Sequence, residues 1–203
     1  MRFAPALLLL PALTHAQIIE FESAGLKYKA LTHGGVTIMF ATLPRQVHGW
    51  AIQQVSISNG SPISWAVRPE DFIFERADGQ VIRALPANEV VQQLMAKAGA
   101  GDVIKLVTAY EAGLYGNTQM HSTNGYEARR EGYLAQGGGS NKLKAAAAAS
   151  AIALVTTKIS PGQSTDGAVF YPSQGKPLGA GKLIVNAAGE VFEFPVEAET
   201  KPR

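Results

Sequence analysis

Two short motifs in the C-terminal third of the chain match patterns that enzymes use, but neither has the setting that its chemistry requires. Ser173-Gln-Gly-Lys176 has the Ser-x-x-Lys spacing in which a lysine activates a serine nucleophile. Prolines and glycines surround it, whereas such enzymes place the motif at the start of a helix, so we interpret it as a turn. Gly181-Lys182 resembles the end of a phosphate-binding loop, but Leu183 stands where that loop needs Ser or Thr.

The histidines and acidic residues do not form a recognisable site either. His33, His48 and His121 lie in separate segments, with no pair at the i, i+4 spacing of helical zinc ligands. The chain contains no cysteine, which removes thiol catalysis, iron–sulfur clusters and thiolate zinc sites. No Gly-x-Ser-x-Gly motif is present. The sequence therefore predicts no catalytic residue, no metal ligand and no cofactor, and a protein that is not an enzyme.

One group of residues suggests binding instead of catalysis. Tyrosines and arginines cluster in the middle of the chain, where Tyr110 precedes the candidate binding residues Tyr115, Tyr126, Arg129, Arg130 and Tyr133. Tyr and Arg are enriched in protein interfaces because they combine a large contact area with hydrogen bonding. We predict a partner-binding surface here. The alternative is that these tyrosines only cover an underlying sheet.

The first 16 residues have the features of a secretory signal. Arg2 supplies a positive charge, residues 6–13 are apolar, and Thr14-His15-Ala16 offers small residues at the two positions that a signal peptidase reads. The apolar run is shorter than the ~20 residues of a membrane span. We predict a signal peptide at 1–16 and a periplasmic or secreted protein with no transmembrane segment after cleavage.

The charge balance argues against nucleic acid as a partner. Removal of residues 1–16 leaves 17 basic residues against 16 acidic ones. A protein that neutralises phosphates needs a concentrated basic surface. The length after cleavage, about 187 residues, suffices for one domain with a sizeable hydrophobic core. We expect residues 17–203 to form a single domain.

Two β-rich blocks flank the middle of the chain, at roughly 35–83 and 164–197. The first contains residues 36–43 and 50–58, rich in β-branched and apolar residues. Within 50–58, Trp50 and Ile52 share one parity and Val55 and Ile57 the other, which predicts a bulge between them. Asn59-Gly60 predicts a tight hairpin after that strand.

The second block repeats the pattern of short strands between Gly, Pro and Asn turns. Residues 168–171, 182–185 and 191–196 read as strands, with a turn at 186–189 before the last. In that last strand Phe192, Phe194 and Val196 share one face. Helices do not alternate with strands throughout, so a parallel α/β sheet is disfavoured and an antiparallel sandwich is favoured.

The two blocks also resemble a known class of domain. The segments VSISNGSPISWAVRPEDFIFERADG and ISPGQSTDGAVFYP, followed by LGAGKLIVNAAGEVFEF, are similar to immunoglobulin-like domains of bacterial secreted proteins of uncharacterised function. The resemblance covers about 90 residues of the flanks. It implies an immunoglobulin-like β-sandwich and an exported protein, with no catalytic residues.

A helical insertion at about 84–159 interrupts the sandwich in this prediction. Asn88 opens a first helix with Val90, Val91, Leu94, Met95 and Ala98 on one face. Asp102 opens a second helix. Three glycines at 137–139 precede a third, from Lys142 to about Thr157, whose five consecutive alanines permit close approach of another backbone.

The fold class we predict is thus mainly β: an antiparallel immunoglobulin-like sandwich interrupted by a helical insertion. The function we predict is an exported, non-catalytic binding or assembly module of the bacterial envelope, whose insertion binds a protein partner or a second copy. A second hypothesis is a small-ligand or lipid carrier with the helices as a lid. A third is an envelope enzyme of unidentified type.

Overall fold

A computed structural model describes residues 17–43, 49–97, 108, 110–111, 128, 148–174 and 176–198. These residues are mainly β, as predicted. The strands are β1 Ile19–Ser23, β2 Leu26–His33, β3 Val36–Thr42, β4 Trp50–Asn59, β5 Trp65–Val67, β6 Phe72–Arg76, β7 Val81–Arg83, β8 Thr157–Ile159, β9 Ser164–Pro172, β10 Gly181–Ala187 and β11 Glu190–Val196. The helix α1 spans Ala87–Lys97, and a 3-10 helix spans Pro69–Asp71.

The strands form two larger antiparallel sheets and one small pair. The five-stranded sheet has the order β1-β2-β3-β4-β9, and the four-stranded sheet has the order β11-β10-β6-β7. The small sheet pairs β5 with β8, so the last residues of the predicted insertion form a strand beside the chain that precedes β6. Pairing of β4 with β9 and of β6 with β10 joins the two β-rich blocks within each sheet.

Tight turns connect three of the strand pairs. The turns Ala24-Gly25, Gly34-Gly35 and Ala188-Gly189 each have positive φ at both residues, the conformation of two-residue hairpins. The last confirms the predicted turn at 186–189. The first lies in a region that the sequence prediction missed, since the first β block begins at Ile19 and not near residue 35. The alternation of apolar and charged residues in β1 and β2 is the sequence feature that could have predicted these two strands.

The two larger sheets pack against each other through an inter-sheet core. Phe40 of β3 meets Phe194 of β11 edge to face, with ring centroids 5.1 Å apart. Phe74 of β6 meets Tyr171 of β9 in the same way at 6.4 Å. Phe192 and Phe194 are fully buried, which confirms the predicted inward face of the last strand.

A second core lies on the opposite face of the five-stranded sheet. This helix-side core joins residues of β2, β3, β4 and β9 to Val90 and Leu94 of α1, to Tyr110 and to buried residues between Ala148 and Ala153. Val90 and Leu94 thus confirm the predicted apolar face of the first helix. The five-stranded sheet is therefore covered on both faces along part of its length.

Burial on both faces explains the change of parity in β4. Trp50 and Ile52 belong to the helix-side core, while Val55 and Ile57 belong to the inter-sheet core. The register of β4 against β9 runs without interruption from Trp50 to Ser58. The predicted bulge is wrong, because each parity has its own apolar layer to pack against and no extra residue is required.

Asn59-Gly60 does not form the predicted hairpin. Neither residue has positive φ, and the chain leaves the five-stranded sheet at this point. The fully buried Asn59 amide donates to the carbonyl oxygens of Ile63, at 2.8 Å, and Ile159, at 3.0 Å, and its oxygen accepts from the backbone and hydroxyl of Ser61. The residue organises a chain crossing between sheets instead of a tight turn.

The helices also differ from their predicted bounds. Helix α1 begins at Ala87, with the carbonyl of Pro86 accepting from Val90, so Asn88 lies inside the first turn and is not the cap. The helical residues 148–152 end before the predicted limit near Thr157. Ala153 forms a bridge with Ala168 of β9, and the chain at Thr157 is already a strand. The described helical content between β7 and β8 is small.

Glycine at position 167 permits this close approach. A Cβ there would lie 2.5 Å from Cα of Leu154, well inside van der Waals contact. Leu154 instead donates its amide to the carbonyl of Ala168 at 2.9 Å. The close backbone contact therefore depends on Gly167 of β9 and not on the five alanines at 145–149, of which the structure describes only Ala148 and Ala149. Within the described ranges, no helix combines the length and apolar character needed to cross a membrane.

Candidate binding groove

The predicted partner surface lies outside the described residues. Tyr115, Tyr126, Arg129, Arg130 and Tyr133 all fall between 112 and 147, of which the structure describes only residue 128. The assignment of these five residues to a binding surface stays a prediction. The bounds of the signal peptide at 1–16 likewise fall outside the described part of the chain.

Tyr110, the described tyrosine of the insertion, has a structural role. Its side chain is fully buried in the helix-side core, and its hydroxyl donates to Oδ2 of Asp166 on β9 at 2.6 Å. A hydrogen bond to a carboxylate is stronger than one between neutral groups. The hydrogen bond from Tyr110 therefore connects the insertion to β9 of the five-stranded sheet.

The motifs considered for chemistry are held in ordinary backbone interactions. The Ser173 hydroxyl donates to the carbonyl of Gly49 at 3.1 Å, and the amide of Lys176 donates to the carbonyl of Ser173 at 3.0 Å. This is the turn that the sequence predicted. His33 is exposed at the end of β2, with Nδ1 3.5 Å from Oε2 of Glu190. Among the described residues, no group of three His, Asp or Glu side chains could hold a metal ion.

A groove at one end of the two sheets combines apolar and charged side chains. It lies between the connection from β4 to β6 and the hairpin that joins β10 to β11, and its volume is roughly 450 Å³. Pairing of Val185 with Phe72 brings the end of β10 beside the 3-10 helix at 69–71. The buried Asn59 amide and the β5–β8 pair fix the other wall.

The walls of the groove are partly apolar. The side chains of Ile63 and Val191 are 59% and 55% exposed, although both are large and aliphatic. Trp65 is half-buried between the groove and the inter-sheet core. Two exposed aliphatic side chains and an aromatic ring therefore line the same groove.

Charged groups surround this apolar patch. Arg68, Asp71 and Glu190 line the groove. The Arg68 backbone amide donates to Oδ2 of Asp71 at 2.8 Å, which fixes the carboxylate at the start of the 3-10 helix. Burial raises the pKa of Asp71, and the hydrogen bond and the charge from Arg68 oppose that rise in part. The groove can therefore offer both a carboxylate and a guanidinium around an apolar centre.

A second groove lies near the turn between β6 and β7. It encloses roughly 610 Å³ and is lined by Glu75, Arg76, Lys182 and Glu197 among others. None of the large exposed apolar side chains of the described residues belongs to it. Exposed charges are easily hydrated, so a charged groove is weaker evidence for binding than an apolar one.

Sequence reasoning did not find the first groove, because its two walls are more than a hundred residues apart in the chain. A local signal did exist: Val191 occupies the outward parity of β11, where Glu193 follows it, and Ile63 precedes a strand in a polar connection. Only the pairing of β6 with β10 brings the two residues to one surface.

Comparison with known proteins adds no relative to this description: no family model matches the chain, and no curated protein or solved structure matches it either.

Proposed function

We propose that the protein is an exported, non-catalytic binding or assembly module of the bacterial envelope, built on an immunoglobulin-like sandwich. The observation that carries this proposal is the groove with Ile63 and Val191 exposed at its walls. Exposure of two large aliphatic side chains to water is unfavourable in free energy, and a protein partner that covers them would remove this cost.

The order of the strands supports the immunoglobulin-like assignment. In an immunoglobulin domain strands A, B and E are neighbours in one sheet, and strands C, F and G in the other, with C′ beside C in variable-type domains. Here β3, β4 and β9 follow the order A, B, E, while β7, β6, β10 and β11 follow the order C′, C, F, G. The insertion between β7 and β9 then occurs where strand D would be, and β1 and β2 extend the first sheet.

This assignment gives the groove a meaningful position. Its walls are the equivalents of the B–C and F–G connections, which lie at the same end of an immunoglobulin-like sandwich and carry binding residues in variable domains. Loops on a rigid sheet framework are common binding sites. The predicted surface at Tyr115, Tyr126, Arg129, Arg130 and Tyr133 is a second place where the same partner could bind.

Export is part of the proposal and rests on residues 1–16. A periplasmic or secreted protein without cysteine must be stabilised by its core, and the two apolar cores provide this. Mass spectrometry of the protein from the native cell envelope tests this point. A chain that begins at Gln17 supports export, and a chain that retains Met1–Ala16 in the cytoplasm contradicts it.

The carrier alternative receives less support from the described residues. Val90, Leu94 and Ile152 pack directly on the five-stranded sheet, so side chains fill this part of the space beneath the helices. A lid over a ligand would need room there. Lipid bound to the natively purified protein would nevertheless favour the carrier over the binding module.

Site-specific photocrosslinking tests the groove. With p-benzoylphenylalanine in place of Val191, we expect one discrete adduct in intact cells of the source bacterium, and the substitution Ile63→Asp should abolish it. Val81 on β7 is 60% exposed and provides a matched control position on another surface. Equal adducts from positions 81 and 191, or an adduct that survives Ile63→Asp, would contradict the proposal.

A further inference from the structure

The edges of the two larger sheets differ in how well they are protected. Edge strands expose unpaired backbone groups that can pair with another chain, and proteins usually block them. At β9, Leu85 and Leu154 donate their amides to the carbonyls of Phe170 and Ala168, at 3.0 and 2.9 Å. At β11, Pro195 interrupts the edge, and Nζ of Lys29 binds its carbonyl at 2.8 Å. The β7 edge is only three residues long.

Strand β1 has none of these protections within the described residues. It is five residues long, contains no proline or lysine, and pairs with β2 alone. Ile19 and Phe21 remain 61% and 37% exposed, although Phe21 stacks on Tyr28 with ring centroids 5.2 Å apart. The strand is thus ordered by the sheet, and its residues from Ile19 to Glu22 are exposed.

The two faces of β1 carry different chemistry. Ile19 and Phe21 lie on the helix side of the sheet, and Glu20 and Glu22 lie on the other side. On that second face Glu20 and Glu22 stand opposite Lys29 and Lys27 of β2, and Glu20 forms an ion pair of 2.7 Å with Lys29. On this face, the two lysines of β2 lie one strand in from the edge, and the two glutamates of β1 lie at the edge itself.

The register also identifies which backbone groups face outward. The two-residue turn Ala24-Gly25 makes Ser23 and Leu26 a hydrogen-bonded pair, and such pairs alternate along an antiparallel ladder. The backbone groups of Ile19 and Phe21 consequently point toward β2. Those of Glu20 and Glu22 point toward the open edge.

A second copy of the chain is a poor occupant of this edge. Antiparallel pairing of β1 with itself keeps each side chain on its own face, so an even-numbered residue always stands opposite another even-numbered residue. Glu20 or Glu22 of one copy would face Glu20 or Glu22 of the other in every aligned register. Like charges directly opposite one another destabilise a strand pair.

We infer that β1 is a docking edge for an extended segment of a partner protein in which Lys or Arg alternates with apolar residues. The partner would add a sixth strand to the five-stranded sheet through the outward backbone groups of Glu20 and Glu22. Its basic side chains would face the two glutamates, and its apolar side chains would extend the surface of Ile19 and Phe21. This edge is separate from the groove, so each proposal can fail without the other.

The experiment uses the full mature chain and a synthetic peptide in which valine and lysine alternate. The peptide has about nine residues, which is the length of a long strand. We expect binding by isothermal titration, and slower hydrogen exchange at the amides of Glu20 and Glu22 by NMR. The double variant Glu20→Gln/Glu22→Gln should bind about three- to tenfold more weakly, as expected for the loss of two exposed ion pairs. Glu89→Gln/Glu197→Gln, which neutralises two exposed glutamates elsewhere, should bind like the wild type.

A backbone variant separates strand addition from simple charge attraction. Glu22→Pro removes one outward N–H without removing a bond to β2 and should weaken binding about tenfold, with the β2–β3 ladder intact by hydrogen exchange. If Glu22→Pro does not fold, the glutamine variant and the exchange data decide alone. The inference is overturned by no binding at millimolar peptide, by equal binding of a valine–glutamate peptide, by protection at other amides, or by self-association through β1.

Discussion

Removal of the Tyr110 hydroxyl tests whether the helical segment, which is the chain between β7 and β8, unfolds as one unit with the five-stranded sheet. The substitution Tyr110→Phe keeps the ring in the helix-side core and deletes the 2.6 Å bond to Oδ2 of Asp166, which is almost fully buried. A hydrogen bond to a charged group contributes about 1.5–3 kcal/mol. We expect the free energy of unfolding to fall by about that amount.

Tyr171→Phe is the matched control. Tyr171 is equally buried, but it lies in the inter-sheet core and donates to the neutral Oε1 of Gln53 at 3.1 Å. A bond between neutral groups contributes about 0.5–1.5 kcal/mol. The same loss of one oxygen should therefore cost about 1 kcal/mol more at position 110 than at position 171.

Urea unfolding followed by tryptophan fluorescence is the assay, because the two tryptophans report on different layers. Trp50 lies in the helix-side core, and Trp65 packs against the inter-sheet core. We expect both to report one transition whose midpoint shifts by about 1 M in Tyr110→Phe with an unchanged slope. An earlier separate transition at Trp50 would refute the idea of one folding unit. Equal costs at positions 110 and 171 would contradict the larger contribution expected for a charged acceptor.

Three further predictions concern single residues. Gly167→Ala should lower the free energy of unfolding by about 3 kcal/mol, because its Cβ would meet backbone atoms of Leu154; Gly162→Ala, at a position with open space and φ of +78°, should cost about 1 kcal/mol. Asn59→Ala should cost about 3 kcal/mol in the same unfolding assay, because it removes two buried donors to backbone carbonyls; a change under 1 kcal/mol would contradict this role. Burial raises the pKa of Asp71, so the Asp71 carboxylate takes up its proton at a higher pH in the folded protein than in the unfolded chain. The contribution of Asp71 to stability therefore grows as the pH falls through the range between these two pKa values. Thermal unfolding between about pH 3 and 6 should show a different slope in Asp71→Asn, and identical slopes would count against the shift.

The coupling of the helical segment to the sheet changes how the insertion is understood. A peripheral module could be removed at 87–157 and leave a folded sandwich. The described residues of this segment instead form one core with β2, β3, β4 and β9. Its removal would expose Tyr28, Trp50, Ile52 and Phe170, all of which are now buried, to water. We therefore expect the deletion to aggregate or unfold, in contrast to a modular insertion.

Local signals in the sequence were sufficient for features that depend on neighbouring residues. The turn at 186–189 and the inward face of Phe192 and Phe194 were both predicted, because a tight turn and alternation along one strand are set by short stretches of chain. The strands β1 and β2 were missed although the same alternation is present there. Their outward residues are charged, and the turn Ala24-Gly25 lacks the Asn or Asp that usually marks a hairpin.

The wrong predictions for β4 and Asn59 share one physical cause. A sequence pattern indicates that a side chain is buried, but it does not indicate which distant part of the chain packs against it. In β4 the parity change at Gln53-Gln54 predicted a bulge, but each glutamine accepts from a tyrosine on its own side, Tyr171 and Tyr28. The Asn59 side chain reaches a carbonyl a hundred residues away, which no local turn rule contains. These features arise only after distant strands have paired.

The sequence by itself determined that this is a mainly β protein with hydrophobic cores, without cysteine, and with a near balance of charge, because composition and periodicity act locally. The tertiary structure alone decided the partners of each strand, the burial of β4 on both faces and the position of β1 at the end of the strand order among the described strands. It also brought Ile63 and Val191 to one groove, since pairing of β6 with β10 is a contact between distant parts of the chain. Such pairings are fixed by the free energy of the whole fold, and no short segment encodes them.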